Sequence, residues 1–579
     1  MENKAISEIL YEIADFLGLE DFPTARFEVR AYKKAALTIE TLQEPIEEVY
    51  NKGGTAALME LPGVGKSIAG LIEEYLKTGK SKKYEMMKKK YPFDMRNLTA
   101  VTGLGAKKAL TLYKKLGVRN IDDLKRAIDT HKVSKLEGFG EKSEEVIKHG
   151  LEMKESSKGR MLIIDALPAA EAIVEKLRKS GLVEKVMIAG SARRMRETVG
   201  DMDILAISKK APEVMRFFTS LPEVESILSQ GPTKATVWLK MGIQCDLRAL
   251  EPESFGAAVQ YFTGSRDHNV QVRTIAVKLG YKLNEYGLFD RKNKNVGGVE
   301  EESIYEKLGM QWMPPEMREA RGEVELALRH KIPKLVEMSD IKGDLHTHTK
   351  ETDGANSIQE MAAAAVGLGY KYIATTNHTK SLVIAKGMDE KGFIEYFKRV
   401  DKLNDDLNGE LTILKGAEVD ILRNGKLDLD KNILKEMDCV VGATHSRLAQ
   451  VDVGKETMTD RAIKAMDTGL VHVLAHPTGR IIGEREQFQI DLEKVAEVAE
   501  RNNVALEINA SNRMDLNDTN IMLTSKYKIL YSIATDAHRT QNYMLMRYGV
   551  GTARRGWLTK DRILNAMPLD KLRKLIGKR

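Results

Sequence analysis

Hydrophobic side chains recur every three or four residues near the start of the chain, at Ile6, Ile9, Leu10, Ile13 and Leu17. This spacing puts them on one face of an α-helix, because a helix completes a turn in about 3.6 residues. The first part of the chain is therefore predicted to form a small helical unit.

Three short glycine turns follow this pattern, at residues 61–66, 101–106 and 136–141. Each has an apolar residue between two glycines and precedes a helical pattern, so together they form a repeat. Each turn resembles a helix-hairpin-helix, a motif whose backbone N–H groups bind a DNA phosphate without reading the base sequence. The DNA contacts that this resemblance implies are Gly63, Gly65, Lys66, Gly103, Gly105, Lys107, Gly138 and Gly140. The alternative, that a turn only packs helices together, stays open above all for the third.

A basic run lies between the first two turns, interleaved with Tyr84 and Tyr91 and opposed mainly by Glu85 and Asp94. Such a run can simply be a solvated helix face. Because it adjoins two turns that suit phosphate, contact with a DNA backbone explains it better. Its members are Lys77, Lys80, Lys82, Lys83, Lys88, Lys89, Lys90 and Arg96.

An apolar run at residues 186–189 predicts a buried strand, and Gly190 and Ser191 then open a helix that carries Arg193 and Arg194. Backbone N–H groups at a helix start, a hydroxyl and guanidinium groups suit the phosphates of a nucleotide.

Asp201 and Asp203 are two residues apart, so in a strand both carboxylates point to one face and can hold Mg²⁺. Asp246, in an alternating segment that predicts another strand, is the candidate for a third acid. Either motif alone occurs often by chance, but their order and spacing indicate nucleotidyl transfer.

This set of residues resembles the palm of the nucleotidyltransferase superfamily. Residues 261–265, together with Asn269 and Arg273, resemble the thumb of family X DNA polymerases. By that resemblance Tyr261, Phe262 and Gly264 border the sugar of the incoming nucleotide. Asn269 contacts its base edge from the minor groove, and Arg273 touches the template strand.

Paired prolines at Pro314 and Pro315 mark the end of this region, and residues 323–335 are predicted to be a charged helical linker. Beyond them apolar strands alternate with helical patterns, and potential metal ligands stand at the strand ends. This arrangement predicts a (β/α) barrel with its ligands at the carboxyl rim. The candidate ligands are His346, His348, Asp353, His378, Glu418, His445, His476, Asp536 and His538.

Of the 11 histidines in the chain, seven fall in this region, and only His472 among them lacks a ligand position. The region resembles the polymerase and histidinol phosphatase (PHP) domain, a distorted (β/α)₇ barrel with a trinuclear Zn²⁺, Mn²⁺ or Fe site. All nine ligand positions of that family are filled. Asn377 stands where the family often has Asp. That Asp is not one of the nine ligands, so the difference is expected to affect only the surroundings of the ligands. The resemblance implies metal-dependent phosphoester hydrolysis.

Composition limits the remaining possibilities. A chain of 579 residues predicts three to five domains at roughly 100 to 200 residues each. Charged residues make up 30%, no apolar stretch is long enough for a membrane helix, and the first residues lack the pattern of a signal peptide. Cys245 and Cys439 are too few for a disulfide framework. We therefore expect a cytoplasmic protein with no membrane partner, and a monomer. The net charge of +7 alone is weak support for a polyanionic partner.

Together these features predict a multidomain protein that resembles prokaryotic family X DNA polymerases with a C-terminal PHP domain. The predicted parts are a helical DNA-end-binding domain (1–80), a helix-hairpin-helix subdomain (81–150), an α+β palm (151–250), a thumb (251–318), a linker (319–338) and a PHP domain (339–579). The resemblance implies gap filling in DNA repair with two Mg²⁺ ions and dNTP substrates, using gapped or primer-template DNA and its 5′-phosphate and 3′ ends. It also implies 3′–5′ exonuclease activity, with 3′-phosphate removal or cleavage at abasic sites as further activities.

The N-terminal domain of such polymerases often carries a 5′-deoxyribose-phosphate lyase. Here the position of its nucleophilic lysine falls on Leu71 and the neighbouring family lysine on Ser67. Leucine cannot form an imine, so DNA-end binding is expected without the lyase, although Lys66 is a possible substitute.

Three other functions stay open on the sequence alone. The barrel could be an inert structural domain, or the protein could be a small-molecule phosphatase with a disused palm. A non-enzymatic DNA-end scaffold would require losses among the acids or ligands, and none is found.

Overall fold

The structure is a computed structural model, and it describes residues 2–20, 25–40, 46–99, 101, 104–140, 143–144, 147–148, 151, 160–445, 455–483, 485 and 487–576. Gly103, a predicted DNA contact, lies outside these residues. Contacts divide the chain into two compact units. The first consists of Met1–Met161, Pro168–Ser191 and Val199–Gly309, and the second of Leu162–Leu167, Ala192–Thr198 and Met310–Arg579.

The first unit begins with the predicted helices. Ile6, Leu10 and Ile13 are completely buried, so the hydrophobic period at the start of the chain forms one face of a helix in the core. A second small core contains Leu104, Leu112 and other apolar residues of the following helices. These helices are α1 (Glu2–Leu17), α2 (Ala25–Glu40), α3 (Ile46–Met59), α4 (Lys66–Thr78), α5 (Lys82–Lys90), α6 (Met95–Thr99), α7 (Ala106–Leu116) and α8 (Ile121–Asp129).

A five-stranded sheet forms the centre of the predicted palm. Its strand order is β2-β4-β7-β6-β5; β4 and β7 are parallel neighbours and the other adjacent pairs are antiparallel. A three-stranded antiparallel sheet, β8 to β10, follows. The strands are β1 (Met161–Leu162), β2 (Lys185–Ile188), β3 (Thr198–Val199), β4 (Asp201–Ile207), β5 (Val224–Gln230), β6 (Lys234–Leu239), β7 (Ile243–Leu250), β8 (Lys282–Asn284), β9 (Gly287–Phe289) and β10 (Asn295–Gly297). The helices in this part of the chain are α9 (Ile163–Lys179), α10 (Gly190–Arg193), α11 (Ala211–Thr219), α12 (Phe255–Thr263), α13 (Arg266–Lys278) and α14 (Glu301–Lys307).

The second unit contains a barrel whose described residues form seven parallel strands, each paired with the next along the chain. A bridge between Thr347 and Ala537 brings the first and last strands together, so the barrel is nearly closed. These strands are β11 (Gly343–Thr347), β12 (Tyr372–Thr375), β13 (Thr412–Asp420), β14 (Cys439–Ala443), β15 (Val473–Leu474), β16 (Ala505–Asn509) and β17 (Tyr531–Ala534). The predicted fold class, with its helical N-terminal region, thumb and distorted (β/α)₇ barrel, is confirmed.

Both faces of the barrel strands are buried, as expected for a parallel sheet covered by helices. Val440 packs in the core outside the strands, while its neighbour Val441 packs in the core inside the barrel. The helices of this unit are α15 (Glu323–Leu328), α16 (Ile358–Gly367), α17 (Glu390–Leu407), α18 (Lys431–Lys435), α19 (Lys455–Met466), α20 (Leu492–Asn502), α21 (Asp518–Thr524), α22 (Met546–Arg555) and α23 (Leu569–Ile576).

The predicted linker is helical only over α15, and Glu323 at its start is completely buried. Val336, near the end of the linker, belongs to the core outside the barrel strands. Among the described residues, each helix is either too short or too polar to traverse a lipid bilayer.

Candidate active sites

The carboxyl ends of the barrel strands carry the nine predicted metal ligands. His346 and His348 lie at the end of β11, Glu418 lies in β13, and Asp536 and His538 follow β17. Because parallel strands of a barrel end at one rim, residues far apart in sequence meet there. The others follow the ends of β11, β12, β14 and β15 as Asp353, His378, His445 and His476.

Glu418 is the centre of this cluster. Its Oε1 lies 2.9 Å from His445 Nε2 and 3.0 Å from His476 Nε2. Its Oε2 lies 3.0 Å from His378 Nδ1, 3.3 Å from His346 Nε2 and 3.5 Å from His348 Nε2. One carboxylate therefore contacts five of the six candidate histidines.

Asp353 and Asp536 complete the set. Asp353 Oδ2 is 3.3 Å from both His378 Nε2 and His538 Nε2, and Asp536 Oδ1 is 3.2 Å from His348 Nε2. All nine side chains thus form one continuous cluster. Within the described chain, three groups of donor atoms lie close enough to hold an ion: His348, Asp353, His378 and His538; His346, His348 and Glu418; and His378, Glu418 and His445.

The donor atoms fit a cluster of cations. His346 Nε2, both ring nitrogens of His348, His378 Nδ1, His445 Nδ1 and Glu418 Oε2 are buried and make no hydrogen bond. Leaving such a group unsatisfied costs about 1–3 kcal/mol, and a bound cation would remove that cost. Imidazole and carboxylate are the donors that Zn²⁺, Mn²⁺ and Fe accept in proteins. The cluster is therefore compatible with a metal site.

The charges of the site favour a cation as well. Burial lowers the pKa of His348 to about 3, so its ring is neutral and can act as a ligand. Burial opposes ionisation of Glu418, but the nearby His445, His346 and His378 hold its pKa well below the usual range. The pKa of His346 is raised well above its usual value despite burial, because the carboxylates of Glu507, Glu418 and Asp536 surround it. The same carboxylates would attract a metal ion, which would take the place of the proton on His346.

Two residues of this site were missed from the sequence. Glu507 Oε1 lies 2.6 Å from His346 Nδ1, and its Oε2 accepts the backbone N–H of His476 at 2.7 Å. It therefore fixes which ring nitrogen of His346 points to the cluster. In the sequence, the one feature that pointed to Glu507 was its position as a lone acid in the mainly apolar strand 505–509. Arg513 Nε lies 3.8 Å from Asp536 Oδ2, and its Nη1 is buried without a hydrogen bond. No sequence pattern distinguished it.

Asn377 and His472 support the rim without being ligands. The side-chain oxygen of Asn377 accepts hydrogen bonds from the Thr349 backbone N–H at 2.9 Å and the Thr352 hydroxyl at 3.1 Å. It thus holds the turn before Asp353. His472 Nδ1 accepts the backbone N–H of Val440 at 2.8 Å, which agrees with its lack of a ligand position.

The three predicted palm acids lie on adjacent strands. Asp203 of β4 stands opposite Asp246 of β7 in the parallel register. Asp201 is exposed and Asp203 half-buried, with the buried Met202 between them on the other face. Lys234 Nζ lies 3.2 Å from Asp246 Oδ2, so a cation already balances one acid.

Gly190 starts a short helix beside these acids, in the first unit. Its φ is +65°, and a Cβ atom there would lie 2.4 Å from Asp203 Oδ2. Glycine is therefore required for the turn to approach the carboxylate. The half-buried Ser191 follows it. Arg193 and Arg194 belong to the second unit, where Arg194 Nε lies 3.0 Å from Glu319 Oε1. Their contact with nucleotide phosphates stays a prediction.

The thumb residues form a linked turn. The rings of Tyr261 and Phe262 pack edge to face at 5.1 Å, and Gly264 ends α12 with a φ of +67°. Asn269 Nδ2 donates to the Tyr261 carbonyl at 2.7 Å. Arg273 Nε donates to the Asn269 carbonyl at 3.3 Å. The nucleotide and template contacts of Asn269 and Arg273 stay predictions.

The first glycine turn is well suited to a phosphate. Gly63 has a φ of +87°, and a Cβ there would lie 2.9 Å from the Ala35 nitrogen. Gly65 and Lys66 are exposed, and a Cβ at Gly65 would meet no atom within 4 Å. The turn therefore offers open backbone N–H groups at the start of α4.

The described residues of the other two turns share part of this pattern. In the second, Gly105 and Lys107 are exposed at the start of α7. In the third, Gly138 and Gly140 have φ values of +86° and +56°, and Phe139 between them is buried.

Four family descriptions match the chain. Residues 1–81 match a helix-hairpin-helix domain, and residues 95–152 match a SAM-like helix-hairpin-helix tandem. Residues 258–319 match the DNA polymerase beta thumb, and residues 344–511 match the PHP domain. The second and third glycine turns thus fall in a helix-hairpin-helix tandem.

Similar proteins include one that matches over nearly the whole chain. The DNA polymerase/3′-5′ exonuclease PolX of Bacillus subtilis (strain 168) is 37% identical over 577 residues, which cover 98% of each chain. A probable phosphatase of Thermoanaerobacter sp. (strain X514) is 28% identical over 231 residues, covering 38% of this chain and 89% of the phosphatase. A probable phosphatase of Syntrophotalea carbinolica is 26% identical over 230 residues, covering 38% and 90%.

Proposed function

Because this chain belongs to the family X DNA polymerases that carry a C-terminal PHP domain, we propose that it fills short gaps in DNA and processes DNA ends by hydrolysis. The observation that carries the first activity is the register that sets Asp203 opposite Asp246, with Asp201 two residues away. The observation that carries the second is the buried cluster of nine donors around Glu418.

In the palm, Asp201, Asp203 and Asp246 would hold two Mg²⁺ ions, which when bound activate the primer hydroxyl and neutralise the triphosphate. Asp246 would lie nearest the primer 3′ hydroxyl. Gly190 and Ser191 would bind the phosphates through backbone N–H groups and the hydroxyl, with Arg193 and Arg194 adding charge.

The thumb would orient the incoming dNTP. Tyr261, Phe262 and Gly264 would border its sugar, and Asn269 would contact its base edge. Arg273 would touch the template strand. The hydrogen bonds that join Asn269 to Tyr261 and Arg273 keep these groups in one turn.

In the barrel, the nine donors would hold a trinuclear Zn²⁺, Mn²⁺ or Fe cluster, which when bound supplies a hydroxide near neutral pH. Glu507 orients His346, and the Asn377 side chain holds the turn that carries Asp353. Arg513 would bind a phosphate oxygen beside Asp536, because its Nη1 group is buried without a hydrogen bond and can donate one to that oxygen. The expected reactions are 3′–5′ exonuclease cleavage, and 3′-phosphate removal or cleavage at abasic sites.

The helix-hairpin-helix turns would bring gapped or primer-template DNA to these sites without reading its sequence. We expect the protein to act as a monomer in the cytoplasm. The phosphatase relatives cover only 38% of the chain, so a small-molecule phosphatase does not account for the palm and the glycine turns.

The test is a gapped duplex incubated with the protein and Mn²⁺, with and without dNTPs, with the primer length followed in both directions. We expect extension with dNTPs and shortening without them. The His348→Ala, His538→Ala double variant should lose shortening and metal, measured by inductively coupled plasma mass spectrometry, but keep extension. Shortening by a metal-depleted double variant would show that the barrel is not the nuclease. Wild-type protein that never extends the primer would refute the polymerase assignment.

A further inference from the structure

A buried lysine lies beside the third acid of the predicted palm. Lys234 begins β6, and the residues that follow it in this strand, 235–239, are mostly apolar. Its side chain is only 6% exposed, and its Nζ lies 3.2 Å from Asp246 Oδ2. Lysine is almost never fully buried unless its charge is paired, because desolvation of an ammonium group is unfavourable. The contact with Asp246 therefore stabilises a charge inside this part of the first unit.

The order of the strands puts Lys234 and Asp203 on opposite sides of Asp246. β7 lies between β4 and β6, with Asp203 opposite Asp246 on one side and Thr236 opposite it on the other. Lys234 is two residues from Thr236 in β6, so both side chains point to the same face of the sheet. A metal ion shared by Asp203 and Asp246 would lie towards β4. The lysine therefore approaches the carboxylate from the side away from such an ion.

Both carboxylate oxygens of Asp246 have a donor. Gln244, two residues earlier in β7, donates from Nε2 to Asp246 Oδ1 at 3.0 Å, while Lys234 contacts Oδ2. Gln244 stands opposite Asp201 in the parallel register, so it too lies on the face that carries the acids. A carboxylate oxygen has two acceptor positions, so each oxygen can accept a hydrogen bond and still bind a cation. The two donors thus fix the plane of the carboxylate and leave it able to bind a metal.

Lys234 is less suited to a direct contact with the substrates. An ammonium group on a side chain that is 6% exposed has little surface to offer to a triphosphate or a DNA strand. A phosphate would also have to compete with the carboxylate of Asp246 for this group. The geometry fits a residue that acts through Asp246 better than one that binds a phosphate.

We propose that Lys234 is a positioning residue for nucleotidyl transfer, which acts by holding the carboxylate of Asp246 in the orientation that a metal ion requires. This inference rests on the proposed polymerase activity. Mg²⁺ demands nearly ideal octahedral geometry, and a displacement of about 1 Å at a reacting centre can cost about 10² in rate. Loss of the lysine is therefore expected to weaken the binding of Mg²⁺ and to lower kcat, while the binding of dNTP changes little.

The first experiment measures single-nucleotide extension of a gapped primer by Lys234→Met and Lys234→Arg. Lys234→Met keeps the apolar length of the side chain but removes its charge. We expect kcat to fall by about 10-fold to 100-fold and the half-saturating Mg²⁺ concentration to rise about tenfold, with the KM for dNTP within about threefold of wild type. Lys234→Arg, which can still donate to Asp246, should recover part of the loss.

Lys240→Met is the matched control for this experiment. Lys240 directly follows β6 and is exposed, so the same change there should alter neither kcat nor the dependence on Mg²⁺. A raised KM for dNTP with an unchanged kcat in Lys234→Met would show that Lys234 binds the nucleotide, and this result would overturn the proposal.

A readout without activity separates this inference from the proposed function. Asp246→Asn leaves the buried ammonium group without its counter-charge, so it should lower the melting temperature by about 5 °C. The same change in the Lys234→Met background should lower the melting temperature by much less, because no charge is then left unpaired. Equal shifts in the two backgrounds would refute the contact whatever the activity. If the shifts differ but wild-type protein never extends a primer, the polymerase assignment and the role of Lys234 in it both fail. If wild-type protein extends a primer and Lys234→Met does so equally well at low Mg²⁺, only this inference fails.

Discussion

Glu418→Gln is the sharpest perturbation of the barrel site. The amide keeps the shape of the side chain but removes the charge of a completely buried group. Its two oxygens face different partners, with His445 and His476 beside Oε1 and His346 and His378 beside Oε2. Glu418 also belongs to two of the three donor groups, so it is expected to contact two ions.

The expected loss of hydrolysis follows from the number of ions that Glu418 is expected to contact. Removal of one preorganised electrostatic contact typically costs about 10²–10³ in kcat. Two lost contacts therefore predict a fall of about 10⁴ in hydrolysis, or about 5 kcal/mol at 1.36 kcal/mol for each tenfold. The palm acids lie in the other unit, so primer extension should remain within about twofold, as expected for separate domains.

The assay follows shortening of a 5′-labelled primer with Mn²⁺ under single-turnover conditions, together with metal content per chain. Glu493→Gln is the matched control, since it is the same change at a surface residue of the same unit that pairs with Lys526. We expect at least one metal ion fewer in Glu418→Gln and no change in the control. A variant that keeps full metal content and loses less than tenfold in hydrolysis would refute a role of Glu418 as a metal ligand.

Three other predictions concern separate parts of the chain. Asp203→Ala should abolish extension and leave DNA binding and hydrolysis intact, because it removes only a palm metal ligand; extension within a few-fold of wild type would contradict this. Gly65→Val should weaken binding to gapped DNA of any sequence by about tenfold and flatten its salt dependence, measured by fluorescence anisotropy; the open space there leaves the fold unstrained, so unchanged affinity would count against the turn. Arg513→Ala should lower hydrolysis by about 10² with metal content unchanged, and a loss of metal would show that Arg513 supports the ligands instead.

The cluster of donor side chains was predictable because its members come in local patterns. His346 and His348, like Asp536 and His538, stand two residues apart at strand ends, and the (β/α) topology then brings every strand end to one rim. Asp246 was predictable for a similar reason, since a strand that alternates in polarity exposes its acid on a known face. In each case a short-range rule and a simple topology were sufficient.

The supporting residues were not predictable, because they depend on long-range packing. Glu507 meets His346 across 161 positions in the sequence. Arg194 was predicted to bind phosphate from its neighbours Gly190 and Ser191, and no local pattern indicated its hydrogen bond to Glu319, which lies 125 positions away. A local motif indicates which groups a side chain could contact, and the fold determines which of these contacts form.

The two sites differ in their donor atoms, and this difference bears on which metal ions each site is expected to bind. The palm offers only carboxylate oxygens, from Asp201, Asp203 and Asp246, and hard oxygen donors suit Mg²⁺. The barrel offers six imidazole rings with three carboxylates, a nitrogen-rich set that favours Zn²⁺, Mn²⁺ or Fe. Donor chemistry therefore predicts that the two sites prefer different ions from a common supply. Addition and removal of nucleotides at a primer end make opposite demands on one substrate, and separate metal preferences would let ion supply change the balance between them.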